Sequence, residues 1–290
     1  MTQTCKDCSE SGQSCLDYAY EPVWFMEKFD SRGVHKVDKK KHGKGIRLDI
    51  ILFVVGVILL GIYGIITFKQ SKEDEAFEAT IEELYQMRDS EILEAKNNKR
   101  GPYDALFDAN SDMVGWLEVP GTNIDYPVMQ TKDDEEYYLH RNFFGKDDKN
   151  GTLFLDARSD LNEESGNIIV YGHNMKSGAM FGSLEEYLDQ SYEAEHSKIN
   201  FYTKTEKREY EIISVFQSKI YSNDDENFKY YNCIKLATEE KFDDFYQNIK
   251  ALSIYDTGVT AQFGDEFITF STCSYHTKNG RLVVVGKQID

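Results

Sequence analysis

The sequence predicts a mainly β domain, a barrel or a sandwich, carried behind one membrane-spanning helix. Three observations point there. About eight short segments between residues 101 and 290 are rich in β-branched and aromatic residues and are bounded by Gly, Asn or Asp, the pattern of strands ended by turns. Residues 50–68 form an uncharged, mostly aliphatic run, long enough to cross a hydrocarbon core of about 30 Å as a helix. Helical signals inside the downstream region are few, and the clearest falls at residues 238–252.

Each element follows from local chemistry. Residues 1–49 read as a cytoplasmic tail: Arg32, Lys36, Lys39, Lys40, Lys41, Lys44 and Arg47 stand against Asp38 alone just before the span, which orients the N-terminus inward and everything beyond Lys69 outward. Gly56, Gly61 and Gly64 are better tolerated by a helix in lipid than in water, and a cleaved signal peptide fits poorly behind so long a tail. Residues 69–100 carry Phe77, Ile81 and Leu84 at helical spacing and predict an amphipathic stalk, ended by the Gly101-Pro102 break. The domain at 101–290 follows. Its strands are expected at 114–119, 124–130, 152–155, 167–172, 199–203, 209–220, 266–272 and 282–288, with short helices at 133–139 and 180–188. Thr238 is placed to cap the helix at 238–252, whose Phe242, Phe245, Tyr246, Ile249 and Leu252 share one face.

Composition narrows the functional classes. A net charge of −18 argues against nucleic acid as a partner and suits a soluble domain held near a surface, and 40% hydrophobic content is enough for one substantial core. No Gly-rich phosphate loop or EF-hand spacing is present, and no cofactor is called for. The cysteines do not suggest a disulfide framework. Cys5, Cys8 and Cys15 lie in the tail, where His35 or His42 could complete a zinc set, although a lone CxxC is a weak signal. Cys233 sits in a locally apolar stretch and reads as a buried structural thiol.

Cys273 is different. Phe267-Ile-Thr-Phe-Ser-Thr-Cys273 reads as a strand that delivers a thiol to its end, with Ile268, Phe270 and Thr272 on one face and Thr269, Ser271 and Cys273 on the other. If the strand opened by Arg281 pairs antiparallel with it, Arg281 lies opposite Cys273, where its cation favours thiolate over thiol. Asn167-Ile-Ile-Val-Tyr-Gly-His173 is a second apolar strand and ends on a histidine, the residue best suited to proton transfer near neutral pH. Taken singly, each has a plainer reading: a small hydrophobe, a loop histidine, a surface charge. Together at strand ends, outside a membrane anchor, they predict a catalytic set. His276 is a rival base without a strand to fix it, and His140 and His196 sit in polar surroundings expected at the surface.

These residues carry a resemblance. The segment Asn110-Ser-Asp-Met-Val-Gly-Trp-Leu-Glu-Val-Pro-Gly-Thr-Asn-Ile-Asp-Tyr-Pro-Val128, the Tyr171-Gly-His173 tripeptide, Thr269-Phe-Ser-Thr-Cys273 and Arg281 together resemble the sortases, the cell-surface cysteine transpeptidases of Gram-positive bacteria, over residues 110–287. Phe270 replaces the leucine usual in the cysteine motif, and the turn from Cys273 to Arg281 is compact. The N-terminal helical extension, the N-terminal anchor and the helix before the cysteine strand resemble class B of that family. No segment like the class C lid lies between span and domain. The resemblance implies an eight-stranded sortase-type β-barrel with Cys273, His173 and Arg281 as catalytic residues. It implies, as partners, surface proteins bearing a C-terminal sorting signal of NPxTx or related type, an amine of a peptidoglycan precursor and the lipid around one span. Three alternatives remain at this level: a pilus-polymerising sortase, a surface cysteine protease, and a non-catalytic anchored sensor whose tail cysteines bind metal.

Overall fold

The computed structural model describes residues 48–95, 101, 103–161 and 166–289. The tail cysteines and the zinc site considered for them lie outside these residues. The chain divides into two compact units, Met1–Lys69 and Gln70–Asp290.

Helix α1 (Leu48–Ala95) is continuous, where the sequence suggests a span and a separate stalk. Lys69-Gln-Ser-Lys-Glu-Asp-Glu75 contains neither Gly nor Pro, so nothing interrupts the i→i−4 hydrogen bonds between the two stretches. Among the described residues this is the one helix long and apolar enough to cross a membrane, with a mean hydropathy of 2.8 in its apolar window. Side chains such as Phe53 and Leu60 are 73% and 71% exposed, as a lipid-facing surface requires.

In the second unit the stalk stripe packs as its spacing predicts: Phe77 and Leu84 are buried and Ile81 is partly buried against the core. Arg88 donates to Asp125 at 2.7 Å, and Trp116 Nε1 donates to the other oxygen of the same carboxylate at 2.6 Å.

Eight strands close into a barrel. They are β1 (Met113–Glu118), β2 (Asp125–Met129), β3 (Leu153–Leu155), β4 (Asn167–Tyr171), β5 (Lys198–Tyr202), β6 (Lys207–Lys219), β7 (Phe267–Cys273) and β8 (Gly280–Gln288), in the order β1-β2-β3-β4-β7-β8-β6-β5. The β2/β3 and β4/β7 pairs are parallel and the others antiparallel. Closure removes free sheet edges.

Strands β7 and β8 are apolar on both faces because both are covered. Ile268, Phe270, Leu282 and Val284 join the main core with Leu117, Val170 and Phe201, while Phe267, Val283 and Val285 meet helix α4 (Glu239–Leu252) on the other side. Thr238 caps α4 by accepting from the Lys241 amide at 3.3 Å, and Phe242, Phe245 and Ile249 are buried, each stabilising by about 1.5–3 kcal/mol. Leu252, expected on that face, is instead 41% exposed, because α4 ends there and the chain turns away at Ser253.

The smaller helical segments depart from expectation. Residues 133–139 and 180–188 give 3-10 segments at Tyr137–His140 and Gly182–Leu188. Tyr137, Tyr138 and Leu139 are contiguous rather than spaced for an α-helical face. A side chain at Gly182 would meet the Met175 carbonyl oxygen at 2.1 Å, so the chain there is drawn in too tightly for other residues. Helices α2 (Asp104–Ala109) and α3 (Gln190–Glu195) are too short to show periodicity.

Candidate active site

The register of β4 on β7 assembles the site. Asn167 pairs with Phe267 and Tyr171 with Ser271 in parallel, so both strands run to the same end of the barrel and His173 and Cys273 follow at matching positions two residues beyond the last pair. Thr272 Oγ1 donates to the Gly172 carbonyl at 2.8 Å, which keeps the two chain ends together. At the base of the pair, Thr269 Oγ1 donates to Asn167 Oδ1 at 2.8 Å, and Asn167 Nδ2 donates to the Cys233 carbonyl, also at 2.8 Å. Gly172 is required by packing: a Cβ there would lie 2.3 Å from Leu153 Cδ2 and 2.8 Å from Phe181 Cδ2.

Arg281 enters from the other side. In the antiparallel β7/β8 pair it is the partner of Cys273. It is only 8% exposed, and its Nη1 donates to the Gly280 carbonyl at 2.9 Å. The turn that returns the chain is closed by the Ser274 amide on the Gly280 carbonyl and the Gly280 amide on the Thr277 carbonyl, both at 3.0 Å. Cys273 itself is partly exposed, and no disulfide joins it to Cys233. Behind it, the fully buried Tyr230 hydroxyl hydrogen-bonds Ser271 Oγ at 2.7 Å. Burial pushes that phenol up to about 12, with Arg281 among the groups opposing the rise and Cys273 among those adding to it.

His173 is oriented by the 3-10 segment at Tyr137–His140. Its Nε2 lies 2.8 Å from the Leu139 carbonyl oxygen. A carbonyl can only accept, so the neutral ring carries its proton on Nε2 and leaves Nδ1 as the basic nitrogen. The His140 ring stacks on it at 5.4 Å between centroids and 30° between planes. Burial lowers the His173 pKa from 6.5; the Leu139 carbonyl opposes this and His140 adds to it. The unfolded chain therefore takes up this proton first on acidification. The resulting stability is fully present above about pH 6.5 and declines as pH falls from there towards the folded-state value. Wild-type protein should accordingly lose more Tm than His173→Gln between pH 7.5 and 5.5, and its His173 ring resonances should titrate below 6.5. Equal Tm losses in the two proteins would refute the shift.

The structure thus brings His173, Cys273 and Arg281 to one end of three adjacent strands. His276 does not join them: it is exposed in the turn, with Nδ1 engaged by Ser274 Oγ at 2.9 Å. His196 is half-buried rather than superficial, with Nδ1 3.1 Å from the Pro120 carbonyl. His140 is exposed as expected, but its stacking on His173 has no sequence signal. Neither has Asn174, whose Nδ2 donates to the Cys273 carbonyl at 2.9 Å and to Glu185 Oε1 at 2.8 Å. Cys233 is chemically quiet, its thiol pushed up to about 12 by burial and then by Asp244. Among the described residues no cluster of three or more His, Cys, Asp or Glu could hold a metal ion. A thiol, an imidazole and a guanidinium gathered this way can form, hold and release an acyl group.

Comparison with known proteins finds relatives along most of the chain. The Sortase domain family matches residues 117–289. Sortase B of Listeria monocytogenes is 31% identical over 243 residues, covering 83% of this chain and 95% of that protein. Sortase B of Staphylococcus aureus is 30% identical over 241 residues, covering 82% and 94%. Among solved structures, a Staphylococcus aureus sortase B–substrate complex superposes with a TM-score of 0.66 at 29% identity, over 75% of this chain and 98% of that one. Sortase B from B. anthracis in complex with AAEK1 gives 0.57 at 35% identity, over 65% and 84%.

Proposed function

The chain belongs to the sortase family, in its sortase B subfamily, and on that footing we propose that Cys273, His173 and Arg281 are the residues through which it works. It is a cysteine transpeptidase anchored in the cell membrane by one span, with its catalytic domain outside, acting on sorting signals to attach proteins to the cell wall. The observation that supports the residue assignment is the strand register: β4 and β7 run in parallel to one end of the barrel, where His173 follows β4 and Cys273 closes β7, and Arg281, near the start of β8, is the antiparallel partner of Cys273.

In this reading the Cys273 thiolate attacks the threonine carbonyl of an NPxTx-type signal. The peptide C–N bond breaks, the imidazolium of His173 gives its proton to the departing amine, and the protein is held as a thioester. An amine of a cell-wall precursor then attacks the thioester and the C–S bond breaks, releasing Cys273 as thiolate. A thioester keeps the acyl group reactive towards an amine, which suits cysteine to this transfer. The buried Arg281 guanidinium would stabilise the oxyanion that develops on the carbonyl in both steps.

The test uses the full-length protein in detergent micelles, an NPxTx-type peptide and mass spectrometry. An acyl adduct mapped to Cys273, converted to an amide product on adding a primary amine, is expected. An adduct released only as free acid at every amine concentration would favour a surface protease. No adduct with any sorting-type peptide would remove the roles proposed for these three residues.

A further inference from the structure

The fold buries one carboxylate that the proposed chemistry leaves unused. Asp156 directly follows β3 and is wholly enclosed. Its Oδ1 accepts from the Arg158 amide and from Arg158 Nε, both at 2.9 Å, and its Oδ2 accepts from Arg158 Nη2 at 2.7 Å and from the Tyr171 hydroxyl at 3.0 Å. A buried carboxylate without such partners is strongly destabilising, so these bonds satisfy the group. They do not explain its place, because an ion pair with Arg158, itself about half exposed, could form at the surface. The enclosed position is what lets Asp156 reach Tyr171.

Tyr171 and Ser271 form the last pair between β4 and β7, and His173 and Cys273 follow two residues later on their chains. Side chains grip this pair from both sides. Tyr171 is held by Asp156, and Ser271 Oγ is hydrogen-bonded to the buried Tyr230 hydroxyl at 2.7 Å. The two grips are joined, because Arg158 Nη2 also donates to the Tyr231 carbonyl at 2.8 Å. A closed circuit therefore runs from Asp156 through Tyr171, Ser271, Tyr230, Tyr231 and Arg158 back to Asp156. It acts where the main-chain pairing weakens: the next bond, from the Gly172 amide to the Ser271 carbonyl, is long at 3.4 Å. Parallel pairing is in any case slightly less stable per residue than antiparallel pairing. Burial, and then Asp156, push the Tyr171 phenol well above its usual range, so the hydroxyl keeps its proton and stays a donor.

We propose that Asp156 is a positioning residue for thioester formation: acting through Tyr171 and Arg158, its carboxylate sets the spacing of His173 from Cys273. The inference rests on the transpeptidase reading of those two residues. Proton delivery from His173 to the departing amine works over a hydrogen-bond distance, and a misplacement of about 1 Å can cost about 10²-fold in rate. A fully satisfied buried network holds such a distance more sharply than apolar packing, since each bond specifies a direction as well as a contact. Tyr171→Phe leaves Asp156 paired with Arg158 and cuts the circuit on the β4 side alone. Asp156→Asn also removes the charge that holds Arg158 against the Tyr231 carbonyl.

The experiment uses the full-length protein in detergent micelles and an NPxTx-type peptide, with rates divided by the amount of Cys273 that iodoacetamide alkylates. Tyr171→Phe is expected to slow thioester formation about tenfold with the peptide KM unchanged, and Asp156→Asn at least as much. The double variant should be no slower than Asp156→Asn, because both changes break one circuit. Ser214→Ala is the control for stability. It removes the buried bond from Ser214 Oγ to the Ile249 carbonyl, 2.6 Å long, between β6 and α4, and should lower Tm by a similar amount at full rate. The His173 ring resonances should move in Tyr171→Phe and stay in place in Ser214→Ala. An unchanged rate in either folded variant, Tyr171→Phe or Asp156→Asn, overturns the inference alone. So does a higher peptide KM at unchanged kcat, which would give Tyr171 to the sorting signal, and so do losses that multiply in the double variant. Should Asp156→Asn fail to fold, Tyr171→Phe decides by itself. No thioester in the wild type overturns the transpeptidase reading and this inference together.

Discussion

Cys273→Ala is expected to abolish both the acyl adduct and the amide product, a loss on the order of 10⁶-fold if it matches nucleophile removal in other acyl-transfer enzymes. The fold should be untouched. Cys273 ends β7 at a partly exposed position, and the main-chain pairing of its strand with Arg281 survives the change. Cys233→Ala supplies the contrast. Its thiol is pushed up to about 12 by burial beside α4, so almost none is thiolate near neutral pH, and its loss should cost a little stability and no turnover. Alkylation by iodoacetamide mapped by mass spectrometry should mark Cys273 well before Cys233. Persistence of the adduct in Cys273→Ala would place the nucleophile elsewhere.

The eight strands are legible in the sequence because each is short, β-branched or aromatic and stopped by Gly, Asn or Asp. The strand ends found lie within two residues of those expected. α4 is equally legible, since its cap and its apolar spacing agree. What composition and spacing do not contain is the order of strands in the barrel. Nothing local says that β4 lies parallel beside β7 across a hundred residues, although that adjacency is what brings His173 to Cys273. The family resemblance, resting on several short motifs together, supplied the barrel that residue patterning left open against a sandwich. The continuity of α1 is hard to read for the opposite reason: a sharp change in polarity at Lys69 resembles a boundary, yet helix propensity runs through it unbroken.

At the site, the groups with intrinsic reactivity are legible and the groups that orient them are not. Cysteine, histidine and arginine at strand ends announce a chemistry. By contrast, the Leu139 carbonyl that fixes the proton on His173, the His140 ring stacked upon it and the Asn174 amide that joins Cys273 to Glu185 are ordinary residues made important by contacts 34, 33 and 99 residues apart in the chain. Such contacts exist only once the barrel has closed.

Arg281 tests whether the charge beside the thiol acts on the transition state or only on the resting thiol. Removing one preorganised oxyanion donor costs about 10²–10³-fold in comparable sites, and Arg281→Ala is expected to lower kcat/KM by that factor. If the guanidinium engages the oxyanion only as it forms, the loss falls on kcat and leaves the peptide KM nearly unchanged. Arg281→Lys should recover little of it. The side chain is 8% exposed and engages the Gly280 carbonyl through one nitrogen of a planar fork, an arrangement an ammonium on a flexible stem does not reproduce. Thiol reactivity separates the two possibilities. Were Arg281 present only to sustain the thiolate, Arg281→Ala would slow iodoacetamide alkylation of Cys273 as much as it slows peptide cleavage. The expected result is a much smaller effect on alkylation than on cleavage, because alkylation develops no oxyanion. Parallel losses in the two reactions, in protein whose Tm shows it is folded, would reduce Arg281 to a neighbour that tunes the thiol.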